Sequence, residues 1–106
     1  MHSHMPLFIK TENFTSETLK LPLKSRREFI EKHKSWVAEL NSKGRKIISG
    51  YLVDDKKVPG GGGVLILEAN SYKDAITLVK KDPMIRKNLV TWEVHEWVPV
   101  IGTPIT

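Results

Sequence analysis

The sequence contains no cysteine. Disulfides, thiol nucleophiles and thiolate metal centres are thereby excluded. No apolar run approaches the roughly 20 residues that a membrane-spanning helix needs. The opening residues lack the basic-then-apolar pattern of a secretory signal. With nothing that demands export, the expected location is the cytoplasm, with no membrane partner. Metal-ligand spacing is also missing: the histidines and acids are scattered, and His33 has no His or carboxylate partner at i+4. His2 and His4 alternate around Ser3, but so short a terminal segment reads as a loose end.

What is present is an ordinary globular composition, 40% hydrophobic and 27% charged over 106 residues. That length suits one domain with a modest core, which the patterning places at 5–100, with 1–4 and 101–106 as flexible termini. The formal net charge is +5. A basic balance invites nucleic acid as a partner, yet the lysines and arginines interleave with acids or fall on polar helix faces, as a solvated surface does. An RNA-recognition module of similar topology needs aromatics on its third strand, and "GVLILEA" (63–69) has none. No nucleic-acid partner is expected.

Hydrophobic periodicity divides the chain into six elements. "PLFIKTENF" (6–14) partly alternates and reads as a strand, and 15–24 as a loop around Pro22. Ser25 with Glu28 forms a capping-box pattern for a helix running to about Lys43, where Gly44 supplies the stop. Phe29, Ile30, Trp36, Val37 and Leu40 recur at helical spacing on it. "KIISGYLV" (46–53) is a β-branched strand, "DDKKVPGGGG" (54–63) a flexible hairpin turn, and "VLILEA" (64–69) a central strand. Ser71 caps a second helix, with Asp74 at the box position, and Pro83 stops it. "MIRKNL" adds one further turn, and "VTWEVHEWVPV" (90–100) is the last strand. The order βαββαβ predicts an α+β, ferredoxin-like sandwich: a four-stranded antiparallel sheet with two helices on one face. Both faces of the last strand carry tryptophan, Trp92 on one and Trp97 on the other. A bare apolar sheet face needs a cover, so two sheets packed as a homodimer are expected.

Two polar residues occupy apolar positions. His33 lies four residues after Phe29 and three before Trp36, inside the apolar stripe of the long helix. Asp82 follows Ala75, Leu78 and Val79 at seven, four and three residues. It stands at a helix C-terminus, where the macrodipole disfavours an anion by up to about 1 kcal/mol. Each residue satisfies the other if they meet. The plainer alternatives are a satisfied core histidine and an aspartate that caps the turn before Pro83. Ser49, Gly50 and Tyr51 lie mid-strand, where Gly50 leaves room either for a ligand or for close packing of the long helix. "PGGGG" lacks the Lys-Ser/Thr and the following helix of a phosphate loop.

The stretches "HKSWVAELNSKGRKIISGYLV" and "GGVLILEANSYKDAITLVKKDPMIRKNLVTWEVHEWV" resemble the YCII-related (YciI-like) family. The resemblance extends over nearly the whole chain from Met5. It rests on the order and spacing of His33, Ser49-Gly50, Ser71 with Ala75, and Asp82-Pro83. It implies a dimeric α+β barrel of ferredoxin-like subunits with a site around the His and Asp, and a kinship in fold with muconolactone isomerases and dehalogenating relatives. Three departures stand out. Ile30 replaces a frequent arginine, Tyr51 a frequent proline, and Met84 an aromatic. Arg26 or Arg27, a turn away, is the substitute cation within reach.

The resulting expectation is a lyase- or isomerase-like enzyme, or a dehalogenase-like one. It would need no cofactor and would act on an unknown small molecule. His33 serves as general base or acid and Asp82 orients it, with Ser49, Gly50 and Tyr51 binding the ligand. The alternative is a non-catalytic dimeric ligand-binding or stress-associated module, and more distantly a cofactor-free monooxygenase.

Overall fold

The structure, a computed structural model, describes residues 5–103. The expected loose ends at 1–4 and 104–106 lie outside the described residues, and 101–103 are exposed without regular structure. The elements are β1 (Leu7–Phe14), α1 (Ser16–Leu19), α2 (Leu23–Ser42), β2 (Ile47–Val53), β3 (Pro59–Glu68), α3 (Tyr72–Val79), α4 (Pro83–Arg86) and β4 (Val90–Trp97). The strands form one antiparallel sheet in the order β2-β3-β1-β4. This is the ferredoxin-like α+β fold that the element order predicted.

Alternation along each strand divides the sheet into two faces. Phe8 and Lys10 of β1, Leu65 and Leu67 of β3, Ile47 of β2 and Val90 and Val94 of β4 are buried under the helices. Ala75, Leu78 and Val79 of α3, with Met84 and Ile85 of α4, complete this core. The α2 stripe of Phe29, Ile30, Trp36, Val37 and Leu40 packs against it as expected, although no residue of α2 is fully buried.

Three local expectations need correction. The segment 15–24 is not all loop. Thr15 caps α1 by accepting from the Thr18 backbone N–H, and the Thr18 hydroxyl donates to the Leu89 carbonyl at 2.8 Å. Ser25 does not cap the long helix. Pro22 holds an extended ψ of 144° and its carbonyl already accepts from the Arg26 N–H, so α2 begins two residues before Ser25, with no side-chain cap. The glycine run is not a flexible turn but the first half of β3, paired to β1 and β2. The turn itself is shorter. Asp54 accepts from the backbone N–H groups of Lys56 and Val58, and Lys57 takes a left-handed φ of 66°.

The downstream signals hold. Ser71 accepts from the Asp74 N–H at the start of α3. Gly44 follows α2 at φ 87°.

One glycine of the run has a packing reason. A Cβ on the buried Gly63 would stand 3.1 Å from the Gly50 carbonyl oxygen and 3.4 Å from Glu12 Cγ, whereas one on Gly60 would meet nothing within 4 Å. Gly63→Val should therefore destabilise by about 1–3 kcal/mol through overpacking, while Gly60→Val should be neutral or mildly stabilising. Urea denaturation of the two variants checks this; equal midpoints would show that Gly63 is not held by close approach.

Candidate active site

Helix α2 carries His33 over the sheet, and its imidazole touches two elements. Nδ1 lies 2.9 Å from Asp82 Oδ1, and Nε2 lies 2.7 Å from Ser49 Oγ on the edge strand β2. The Trp36 ring, three residues on, lies tilted beside it at 5.9 Å between centroids. His33 is thus neither an isolated core histidine nor a surface one: 14% of its side chain is accessible, against none of that of Asp82.

Helix α3 ends at Val79, before Pro83 is reached rather than at it, and tight turns in which the Lys81 and Asp82 N–H groups donate to the Leu78 and Val79 carbonyls carry the chain on to Asp82. Pro83 disfavours helical geometry in the residue before it, and Asp82 adopts φ −59° and ψ 125°. It then serves as the N-cap of α4, with Oδ1 accepting from the Met84 N–H at 2.9 Å. The anion lies past the end of α3 and at the start of α4, where it meets a free backbone N–H. Both sequence-based alternatives are therefore realised in one residue: it caps the turn and it meets His33.

The second carboxylate oxygen has a partner that pattern reading missed. Lys10 Nζ donates to Asp82 Oδ2 at 2.9 Å, and neither side chain is accessible to solvent. Lys10 also donates to Glu12, two residues along β1. The signal was present in "FIKTENF": period-two alternation sets Lys10 and Glu12 on the face of Phe8 and Phe14, the core face. Ile9, between Phe8 and Lys10, makes the two faces hard to tell apart. Burial pushes the Asp82 carboxyl up, but the hydrogen bond from His33 and the charge and hydrogen bond of Lys10 outweigh it. Together they hold its pKa below the ordinary carboxylate value. An ionised Asp82 only accepts, so the His33 nitrogen facing it carries the proton.

The residues expected to bind a ligand are divided between the two faces. Ser49 and Tyr51 register with Leu65 and Gly63 on the helix side, and Tyr51 is 73% exposed. Gly50 registers with Val64 on the open side, and nothing lies within 4 Å of a Cβ there, so it makes no close contact with α2. Arg26, considered as a substitute cation, has a buried Nε without a hydrogen-bond partner. Two grooves of about 530 and 370 Å³ run along α2. They are lined by Lys24, Arg27, Glu31 and Trp36 among others, and neither touches the Asp82 network. Among the described residues no group of three or more His, Asp and Glu is arranged to hold a metal ion.

A family model, the YCII-related domain, matches residues 7–98. This chain belongs to the YCII-related family. No curated protein matches it. Among solved structures, this YCII-related domain is similar to 5-chloro-2-hydroxyhydroquinone dehydrochlorinase (TftG) from Burkholderia phenoliruptrix, in complex with 2,5-dihydroxybenzoquinone. The identity is 24% over 87% of this chain and 93% of that one, with a TM-score of 0.65. The de novo designed protein Ferredog-Diesel is also similar, at 13% identity over 90% and 88% of the two chains and a TM-score of 0.56. At these identities the likeness shows the fold.

The Asp82 ion pair gives the YCII-related domain a definite acid response. The native pKa of Asp82 is lowered from an unfolded value of about 4. Between the two, the unfolded chain binds more protons, so stability rises with pH there. The contribution is complete above the unfolded value and is lost as pH falls through the native one. Asp82→Asn should be less stable by about 3 kcal/mol at neutral pH, because it leaves a buried lysine poorly compensated. Urea titrations of both proteins should show this gap closing as pH falls below about 4; a gap independent of pH would show that ionisation of Asp82 contributes nothing.

Proposed function

We propose that this YCII-related domain is a small-molecule enzyme of the lyase or isomerase kind, with His33 and Asp82 as its proton-transfer pair. The observation that carries this reading is the His33 ring, whose Nδ1 faces a buried, ionised carboxylate while Nε2 faces the exposed Ser49 hydroxyl. With Nδ1 protonated, the lone pair of neutral His33 is on Nε2. That nitrogen takes a proton from a substrate C–H beside a carbonyl, or from a phenolic hydroxyl. Asp82 stabilises the imidazolium that results, and the proton then returns to the product or passes to water. Ser49 and Tyr51 contact the ligand on this side of the sheet, and Gly50 faces away from it. The reading requires no cofactor, nucleic-acid partner or membrane. No helix among the described residues is long and apolar enough to cross one, and a cytoplasmic location fits.

A second reading is favoured by one feature. Ser49 already occupies Nε2, so both ring nitrogens are satisfied, as they would be in a non-catalytic ligand-binding module. The two readings separate on turnover. Dehydrochlorination by TftG and its bound quinone make hydroxyquinones and their chlorinated hydroquinone precursors the first compounds to try. Chloride release from 5-chloro-2-hydroxyhydroquinone, and deuterium exchange into hydroxyketones and hydroxyquinones followed by NMR, should run about 100-fold or more faster with the wild type than with His33→Ala. Equal rates for the two proteins on every compound would defeat the enzyme reading; saturable binding without turnover would support the module.

The domain extends over 5–100 and works as a homodimer through its open sheet face. Along that face Ile48, Ile66, Ile9 and His95 register in one row across all four strands. Ile48 is 68% and Trp97 47% exposed. Three adjacent isoleucines in a row on a solvent face favour burial of that face against its own copy. Light scattering at micromolar concentration should give twice the 12.1 kDa chain mass, and Ile48→Lys should shift the population toward monomer. A monomeric wild type would exclude the dimer.

A further inference from the structure

Lys10 is a fully buried cation that the proton-transfer step does not use. Its partners show what it does. The Asp82 carboxylate offers two oxygens to three donors: Oδ1 accepts from His33 and from the Met84 backbone N–H, and Oδ2 accepts from Lys10. Glu12, bonded to the same ammonium, steadies it from the β1 side. With Oδ2 occupied, Oδ1 is the oxygen left for the imidazole.

We propose that Lys10 is a positioning residue of the His33–Asp82 pair. By holding Oδ2, it fixes the carboxylate in one orientation and one charge state, and so keeps the His33 proton on Nδ1 and the lone pair on Nε2. A carboxylate with no access to solvent is driven toward its protonated form by desolvation, and without Lys10 only His33 and the Met84 N–H remain to oppose this. A protonated Asp82 donates to the ring instead of accepting from it. Nδ1 then carries the lone pair, Nε2 carries the proton, and the ring presents a donor where the reaction needs a base. Ser49 reads out the same switch, because its hydroxyl donates to Nε2 in the first state and accepts from it in the second. This inference deepens the enzyme reading above, since the tautomer matters to catalysis only if His33 moves a proton; the tautomer itself is measurable without any substrate.

The test is long-range ¹H–¹⁵N correlation NMR of the full chain as a function of pH, with the tautomer ratio read down to the lowest pH at which the His33 ring is still neutral. In the wild type His33 should be almost wholly the Nδ1–H tautomer. In Lys10→Met the ratio of Nδ1–H to Nε2–H should fall at least tenfold. The absence of cysteine permits a clean rescue. Lys10→Cys, alkylated with bromoethylamine while unfolded and then refolded, carries an ammonium at nearly the lysine position and should recover the wild-type ratio. A folded Lys10→Met that keeps the wild-type ratio overturns the proposal and leaves the enzyme reading intact, because that reading stands or falls on His33→Ala. If Lys10→Met does not fold, the wild type decides. Lys10 ammonium protons should be slow to exchange and should show contacts to the His33 ring region, whereas a fast-exchanging signal like that of a surface lysine overturns the proposal.

Discussion

A lysine ammonium and an aspartate carboxylate, both without accessible surface, meet at 2.9 Å under the helices. Taking each ion from water costs several kcal/mol, and their attraction offsets this only if the remaining donors and acceptors are occupied. Here that condition is approached from every side. Asp82 accepts from Lys10, His33 and the Met84 N–H, and Lys10 also serves Glu12. The network ties β1, the junction of α3 and α4, α2 and β2 to one point. It also gives register a penalty: a one-residue slip of β1 would turn Lys10 to the open face and leave Asp82 buried without its cation.

The same constraint fixes where the protons of the pair sit. An aspartate kept ionised under an apolar layer is a strong acceptor, and the ring that donates to it has a defined proton position. The network becomes progressively more exposed as it leaves the interior, from Lys10 and Asp82, through His33 at 14% accessible, to Ser49 on an edge strand. Charge is thus held where water is absent, and Nε2 of His33 lies on the side nearer solvent. Helix α3 has already ended at Val79, and Pro83 makes Asp82 the cap of α4, from which its carboxylate meets Lys10 of β1.

Much of this was legible. The βαββαβ order, the α2 stripe, the Ser71 cap, the Gly44 stop and the oddness of His33 and Asp82 all follow from periodicities local to one element. The misreadings have a common cause. Whether "PGGGG" is loop or strand depends on the two neighbours that flank β3, not on glycine's own preference. Whether Ser25 caps depends on Pro22 having already set the helix start. Lys10 does not stand out in the sequence because β1 carries apolar residues on both faces, Phe8 on one and Ile9 on the other, and alternation alone does not say which face the helices cover.

The sequence by itself determined the fold class, the absence of thiol chemistry and the two residues whose polarity contradicts their position. These are set by short-range steric and periodic rules that act within a few residues. The tertiary structure alone decided that His33 and Asp82, 49 residues apart, meet at hydrogen-bonding distance, and that Ser49 closes one end of the array and Lys10 the other. Those contacts depend on strand order and on the angle at which α2 crosses the sheet. Both follow from packing the whole core, because only the assembled interior excludes the water that would otherwise solvate each of these groups separately.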